Sequence, residues 1–392
     1  MRQIAANYIF PGSGSCLKNG IIILTDEGIV EKVIDTGGNI HESAGLEFYN
    51  GIVVPGFINA HCHLELSHMQ GLIPEKTGLP GFIGRITKQR FAGIEEIKKH
   101  AWKAHFEMIH NGIVAVGDIC NTSASFEIKK KKDILYHSFI EVYGSDPKIA
   151  EKKIQDALKL SSLIESKYPH NHSIIPHAPY SVSNNLLQRI VESNTNGLLS
   201  FHNQESASEN LLFEKNTGPL LEALVALEPS FIRNNTSGVN PLLSIISQLG
   251  KNRKLLPVHN TYTRAKDIQS IKKRDLQIFW ILCPGANLYI ENRLPDIPLL
   301  KENNPIALGT DSLASNHQLS ILEEMKLISS HYPNIHLTEL VKWGTLNGAK
   351  ALNMEKEIGS LEPGKRPGVN LIHQADLKNL KLTEKSWVEK LV

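Results

Sequence analysis

The stretch "GIVVPGFINAHCHLELSH", Gly51 to His68, runs from an apolar segment straight into three histidines and a glutamate. An extended strand sends alternate side chains to one face, so His61 and His63 point together while Cys62 points away. Two imidazoles placed side by side at the end of a buried strand have the geometry of a bidentate metal clamp.

Seven further apolar runs follow the first and end in the same way. They are "GIVAVGD" ending at Asp118, "LYHSFIEVYG" containing Glu141, "HSIIPH" ending at His177, "GLLSFH" ending at His202, "KLLPVH" ending at His259, "IFWILCP" ending near Cys283, and "PIALGTD" ending at Asp311. Amphipathic stretches such as "GIEEIKKHAWKAHFEMIHNG" and "KIAEKKIQDALKLSSLIESK" lie between them and read as helices. Eight strands alternating with helices predict an α/β fold, a (β/α)8 TIM barrel. Active sites of that fold lie at the C-terminal strand ends, where these His, Asp and Glu residues fall. The chain ends differ from the middle. Short apolar segments and Gly-rich turns in "KNGIIILTDEGIVEKVID", and again in "IGSLEPGKRPGVNLIH", predict a small β-sandwich domain built from both termini. The expected division is 1–54 and 355–392 for that domain and 55–354 for the barrel.

A chain of 392 residues suits one large barrel with an appendage. With 41% hydrophobic and 21% charged residues, the composition is that of a globular protein rather than a disordered one. The net charge of +2 points to no nucleic-acid partner. The basic runs "IKKKKD" (Ile128–Asp133) and "IKKRD" (Ile271–Asp275) lack interleaved aromatics and read as solvated faces. No window is apolar for long enough to span a membrane, and the first residues lack a signal-peptide pattern, so a cytoplasmic protein is expected. Cys16, Cys62, Cys120 and Cys283 are scattered, as expected of reduced thiols.

A lone His at a strand end is usually a structural histidine with its hydrogen bonds satisfied. Five residues converging on one axial pocket are another matter: His61, His63, His202, His259 and Asp311 fall on strands one, one, five, six and eight. Nitrogen-rich ligation with one carboxylate suits zinc, with iron or manganese as alternatives. Two-metal barrels of similar layout use a carboxylated lysine on the fourth strand, where this chain has His177, so one divalent metal is expected. In "FHNQESASEN", Glu205 follows His202 closely enough to face the same pocket. It is read as a proton shuttle in preference to a helix-start glutamate.

The motifs "PGFINAHCHLELS", "PHAPYSVS", "FHNQES", "VHNTYT", "CPGANLYI" and "LGTDSLASN" resemble the amidohydrolase superfamily, within it the mononuclear-metal deaminases of purines and pyrimidines. "IGSLEPGKRPGVNLI" is similar to the closing β-domain segment of that family, with a departure at "RPGVNLI" where Ala-Asp-Leu is common. The resemblance covers almost the whole chain. It implies that His61, His63, His202 and Asp311 ligate the metal, that His259 lies beside it, that Glu205 moves the proton, and that His177 touches substrate. Asp311 and His259 are the candidates for taking a proton from the attacking water. The implied reaction is hydrolytic deamination of a 6-aminopurine nucleoside derivative or related heterocycle. "HLELS" with "FIEVYG" looks more like the aminodeoxyfutalosine deaminases than the adenosylhomocysteine deaminases. Glu65, Phe82 and Arg85, on the long segment after strand one, are candidate substrate contacts, and that segment reads as a pocket wall or lid. The partner is then a small molecule; relatives of this kind are often dimers, and the sequence leaves a homodimer open. The alternatives are hydrolysis of a cyclic amide or chlorinated heterocycle at the same metal set, and an inactive barrel kept for binding or assembly.

Overall fold

The computed structural model of the chain describes residues 1–392 apart from Glu42, Thr195, Ser230, residues 232–237 and Lys273, the last being part of the second basic run. Each of the eight apolar runs forms a strand: β1 (Phe57–Cys62), β2 (Ile113–Cys120), β3 (Leu135–Val142), β4 (Asn171–Pro176), β5 (Leu198–Asn203), β6 (Arg253–His259), β7 (Trp280–Leu282) and β8 (Ile306–Leu308). They are parallel and adjacent in chain order, β1–β4 in one sheet and β5–β8 in another. Strands buried on both faces read as unbroken apolar runs rather than as alternation, and all six residues of β1 are buried.

The two sheets meet at both edges. Between β4 and β5 the His202 N–H donates to the His177 carbonyl at 2.8 Å. Between β8 and β1 the N–H groups of Thr310 and Asp311 both donate to the His61 carbonyl, at 3.0 and 3.1 Å. Asn59 Nδ2 donates to Thr310 Oγ1 across the same seam at 2.7 Å. The parallel (β/α)8 arrangement is present, carried by two ladders with sparse bonding at the seams rather than by one unbroken ring. The two predicted helices span Ile94–His110 and Ala150–Lys167. Gly112, at φ +71°, turns the first of these into β2 where an added Cβ would strike the Asn370 side chain.

The termini come together as a single seven-stranded sheet in which Trp387–Lys390, Val369–His373, Leu46–Pro55, Arg2–Ile9, Ile21–Leu24 and Val30–Ile34 are neighbours in that order. Strand pairing therefore joins both ends in one sheet, where the sequence suggested a sandwich of two. Ile4, Ile22, Val53 and Leu371 form part of its own apolar cluster. Among the described residues no helix is long and apolar enough to cross a membrane.

One basic run departs from its reading as a solvated face. Lys130, Lys131 and Lys132 are exposed, but Lys129 is buried. It closes the short helix Phe126–Lys129, and its Nζ lies 2.6 Å from Asp118 Oδ2 with both side chains fully enclosed. The same Asp118 accepts from the Leu64 N–H at 2.8 Å, so the pair holds the backbone directly after His63. Removing one partner leaves a lone buried charge. Lys129→Met is expected to lower unfolding stability by about 3–5 kcal/mol in chemical denaturation, and Asp118→Asn/Lys129→Met to recover part of that loss.

Candidate active site

The strand ends place a cluster of imidazoles and carboxylates at the C-terminal face. His61, on β1, and His63, the residue just past it, meet with their Nε2 atoms 3.2 Å apart. Asp311, just past β8, brings Oδ1 to 3.2 Å from His63 Nε2 and 3.6 Å from His61 Nε2. A tetrahedral zinc with ligands at 2.0–2.2 Å would separate its donors by about 3.3–3.6 Å, so this donor set fits such an ion. Gly309 makes the approach feasible: a Cβ there would lie 2.9 Å from the His61 Cβ and carbonyl oxygen. The other oxygen of Asp311 accepts from Ser315 Oγ at 2.6 Å, which fixes the carboxylate.

His202, from β5, sets its Nδ1 3.0 Å from His259 Nε2, and the two rings stack 5.1 Å apart. Three overlapping groups thus bring ligand atoms together: His61 with His63 and Asp311, His61 with His202 and His259, and His202 with Glu141 and His177. Burial favours the neutral form of His63, His202 and His259, with lone pairs free for a cation. It pushes His63 down to about 4, against the pull of Asp311, and His259 down to about 3. Burial likewise lowers His202 well below its ordinary range. For Asp311 burial acts upward, but the bond to His61 and the neighbouring His63 and His259 rings outweigh it and keep the carboxyl low.

The backbone is strained at these ends. Gln204, His259, Asn260 and Asp311 all have positive φ, 46°, 71°, 58° and 58°. Non-glycine residues in that region cost about 1–3 kcal/mol each and need surrounding structure to hold them. Here Asn260 N–H donates to Asn203 O, Asn203 Nδ2 to Asn260 Oδ1, and Thr263 Oγ1 to Gln204 Oε1.

Glu205 stands one residue ahead of Ser206, the cap of helix Ala207–Lys215, so it is outside the helix and not its first-turn glutamate. Its Oε2 lies 3.8 Å from His259 Nε2, and its side chain is buried. Burial first, then the nearby Asp311, Glu209 and Glu291, push this carboxyl well above the ordinary range and favour the protonated acid.

A cavity of about 350 Å³ opens above the cluster, lined at its base by His63, His177, His202, Glu205 and Asp311. Its wall is apolar. Leu66, Phe82 and Ile86 come from the segment after β1, and Leu224 and Leu227 from helix Pro219–Leu227 or its cap. Phe82 is thus at the cavity, and the long segment after β1 is its wall. His177 lines it too, with Nδ1 2.8 Å from Ser181 Oγ.

Two expected contacts are not there. Glu65 turns its carboxylate away, accepting from the N–H groups of Asn121 and Thr122 at 3.2 Å and from Thr122 Oγ1 at 2.9 Å. It staples the loops after β1 and β2. Arg85 lies outside the cavity and donates along its own helix to Gly81 O at 3.0 Å. The cavity also presents Glu141, near the end of β3, which the sequence placed at a strand end but to which it assigned no role.

Residues 52–389 match the amidohydrolase family. The chain belongs to that family. Over 388 residues it is 27% identical to an adenosine deaminase of Helicobacter pylori, covering 94% of this chain and 91% of that protein. Over 362 residues it is 28% identical to an aminodeoxyfutalosine deaminase of Nitratiruptor, covering 87% and 84%. A crystal structure of Helicobacter pylori aminofutalosine deaminase in complex with methylthio-coformycin superposes with a TM-score of 0.80 at 23% identity, over 98% of this chain and 94% of that one. A zinc-bound adenosine deaminase of Xanthomonas campestris superposes with a TM-score of 0.72 at 19% identity, over 97% and 87%.

For an amidohydrolase with this donor set, His61→Ala and His63→Ala are each expected to purify without the metal that the wild type retains, measured by plasma emission spectroscopy. Gly309→Ala, which pushes β8 away from His61, is expected to lower metal content without removing a ligand.

Proposed function

We propose that this amidohydrolase removes an amino group hydrolytically from a 6-aminopurine nucleoside derivative. The observation that carries the reading is Glu205: a buried carboxyl facing His259 and the cavity beside the His61, His63 and Asp311 donor set. The names of the curated relatives, adenosine and aminodeoxyfutalosine deaminases among them, support the same chemistry.

In this reading His61, His63, His202 and Asp311 hold one divalent metal, zinc by ligand type, with iron and manganese the alternatives. Such a metal supplies the nucleophile by lowering the pKa of water from 15.7 to about 7. Asp311 and His259 take a proton from the attacking water. Glu205 donates to the ring nitrogen beside the reacting carbon, which makes that carbon more electrophilic, and a proton then passes to the departing amine. The C–N bond breaks, a carbonyl forms, and ammonia leaves. His177 and Phe82 contact the substrate along the cavity wall. Residues 1–54 and 355–392 make up a small domain beside the catalytic unit 55–354. The same reading makes the partner a small molecule and places the protein in the cytoplasm, as a homodimer, with its four free cysteines reduced.

Ammonia release by the zinc-loaded protein from a panel of purine nucleosides, bases and cyclic amides tests the reading. Turnover of a 6-aminopurine nucleoside is expected, and Glu205→Gln should lose about 10²–10⁴ of kcat while keeping its metal. Product from a cyclic amide or a chlorinated ring without ammonia from any nucleoside would assign a different amidohydrolase reaction.

A further inference from the structure

Glu141 is a buried carboxylate that the chemistry above does not use. It is 9% exposed and stands at the C-terminal end of β3, on the cavity lining. One of its oxygens is held: Asn121 Nδ2 donates to Oε2 at 3.1 Å and to the Glu141 carbonyl at 3.2 Å. Asn121 is itself fixed, its N–H by Glu65 at 3.2 Å and its Oδ1 by Arg90 at 3.0 Å. The other oxygen, Oε1, is buried and has no hydrogen-bond partner among the described residues. It lies 3.8 Å from His202 Nε2, which is likewise unpartnered, on the side of His202 that faces His177. A buried carboxylate oxygen without a donor carries its desolvation cost uncompensated, and a carboxylate can only accept.

We infer that Glu141 Oε1 is a specificity-determining acceptor of this pocket and binds the 2′- or 3′-hydroxyl of the substrate's sugar. The inference rests on the deaminase reading and adds to it. Glu205 lies beside His259, whereas Glu141 lies beside His202 and His177, so a substrate whose amine meets Glu205 brings a different part of itself to Glu141. A 6-aminopurine nucleoside has no N–H donor apart from the exocyclic amine. Any donor it offers at a distance from that amine is therefore a hydroxyl. The staple Glu65–Asn121–Glu141 sets the acceptor in place before substrate arrives, so little ordering is needed on binding.

The test compares adenosine with 2′,3′-dideoxyadenosine in turnover, and inosine with 2′,3′-dideoxyinosine and hypoxanthine in calorimetric binding. Wild type, Glu141→Gln and Glu141→Ala are compared, with metal content measured in each. The hydroxylated nucleosides should be preferred by about 10–100-fold in the wild type, the range of a hydrogen bond to a charged group. Both variants should shrink that preference to under about threefold, through KM and Kd more than kcat, with metal content unchanged. Two results overturn the inference: a preference that survives in the variants, or a wild type that binds hypoxanthine and the dideoxy product as well as inosine. A third is loss of metal from Glu141→Gln, which would make Glu141 a ligand with His177 and His202. If the wild type releases no ammonia, the deaminase reading fails by itself, and the binding comparison still decides the role of Glu141.

Discussion

One backbone carbonyl carries the site. The His61 oxygen accepts the N–H groups of both Thr310 and Asp311, and through those two bonds the last strand is laid against the first. Residues 250 positions apart in the chain thus deliver an imidazole pair and a carboxylate to the same few ångströms. The arrangement leaves no slack: Gly309 must lack a side chain, and Asp311 must take a left-handed backbone. The strain is borne by the polar brackets around it, Asn59 to Thr310 on one side and Ser315 to Asp311 on the other. Geometry of this kind is set by the scaffold and is in place before any ligand binds.

Two carboxyls of like chemistry are given opposite surroundings within one cavity. Glu205 faces other acids, Asp311, Glu209 and Glu291, and burial favours its neutral form. For Glu141 burial acts in the same direction, but His177, His63 and the Asn121 amide outweigh it and keep the carboxyl low. Environment separates a proton donor from an acceptor without any change of residue type.

Much of this was legible in the sequence, for definite reasons. Parallel strands buried on both faces leave unbroken apolar runs, so all eight could be counted, and a polar residue closing such a run marks the functional face. His61, His63, His202, His259 and Asp311 all have that signature. Glu205 was legible because it follows a strand-end histidine at short range. What stayed hidden depends on contacts remote in sequence. Lys129 is followed by three exposed lysines, and its burial is explained by partners on two strands, Asp118 on β2 and Ser138 on β3. Glu65 and Arg85 fall on a segment whose side-chain directions follow from how it folds back, and they point to the loop after β2 and to solvent. Glu141 was visible as a residue, but its free oxygen is a property of three loops together.

The sheet that unites the termini has a consequence for how the chain comes to be folded. Strand Leu46–Pro55 pairs with Arg2–Ile9 along one edge and with Val369–His373 along the other. The second partner leaves the ribosome about 300 residues later, which at roughly 5–20 residues per second is about 15–60 s. Throughout that interval the N-terminal strands expose an unpaired edge, the kind of surface that recruits other chains. Pairing with Val369–His373 hides this edge, which stays open until that segment has been made.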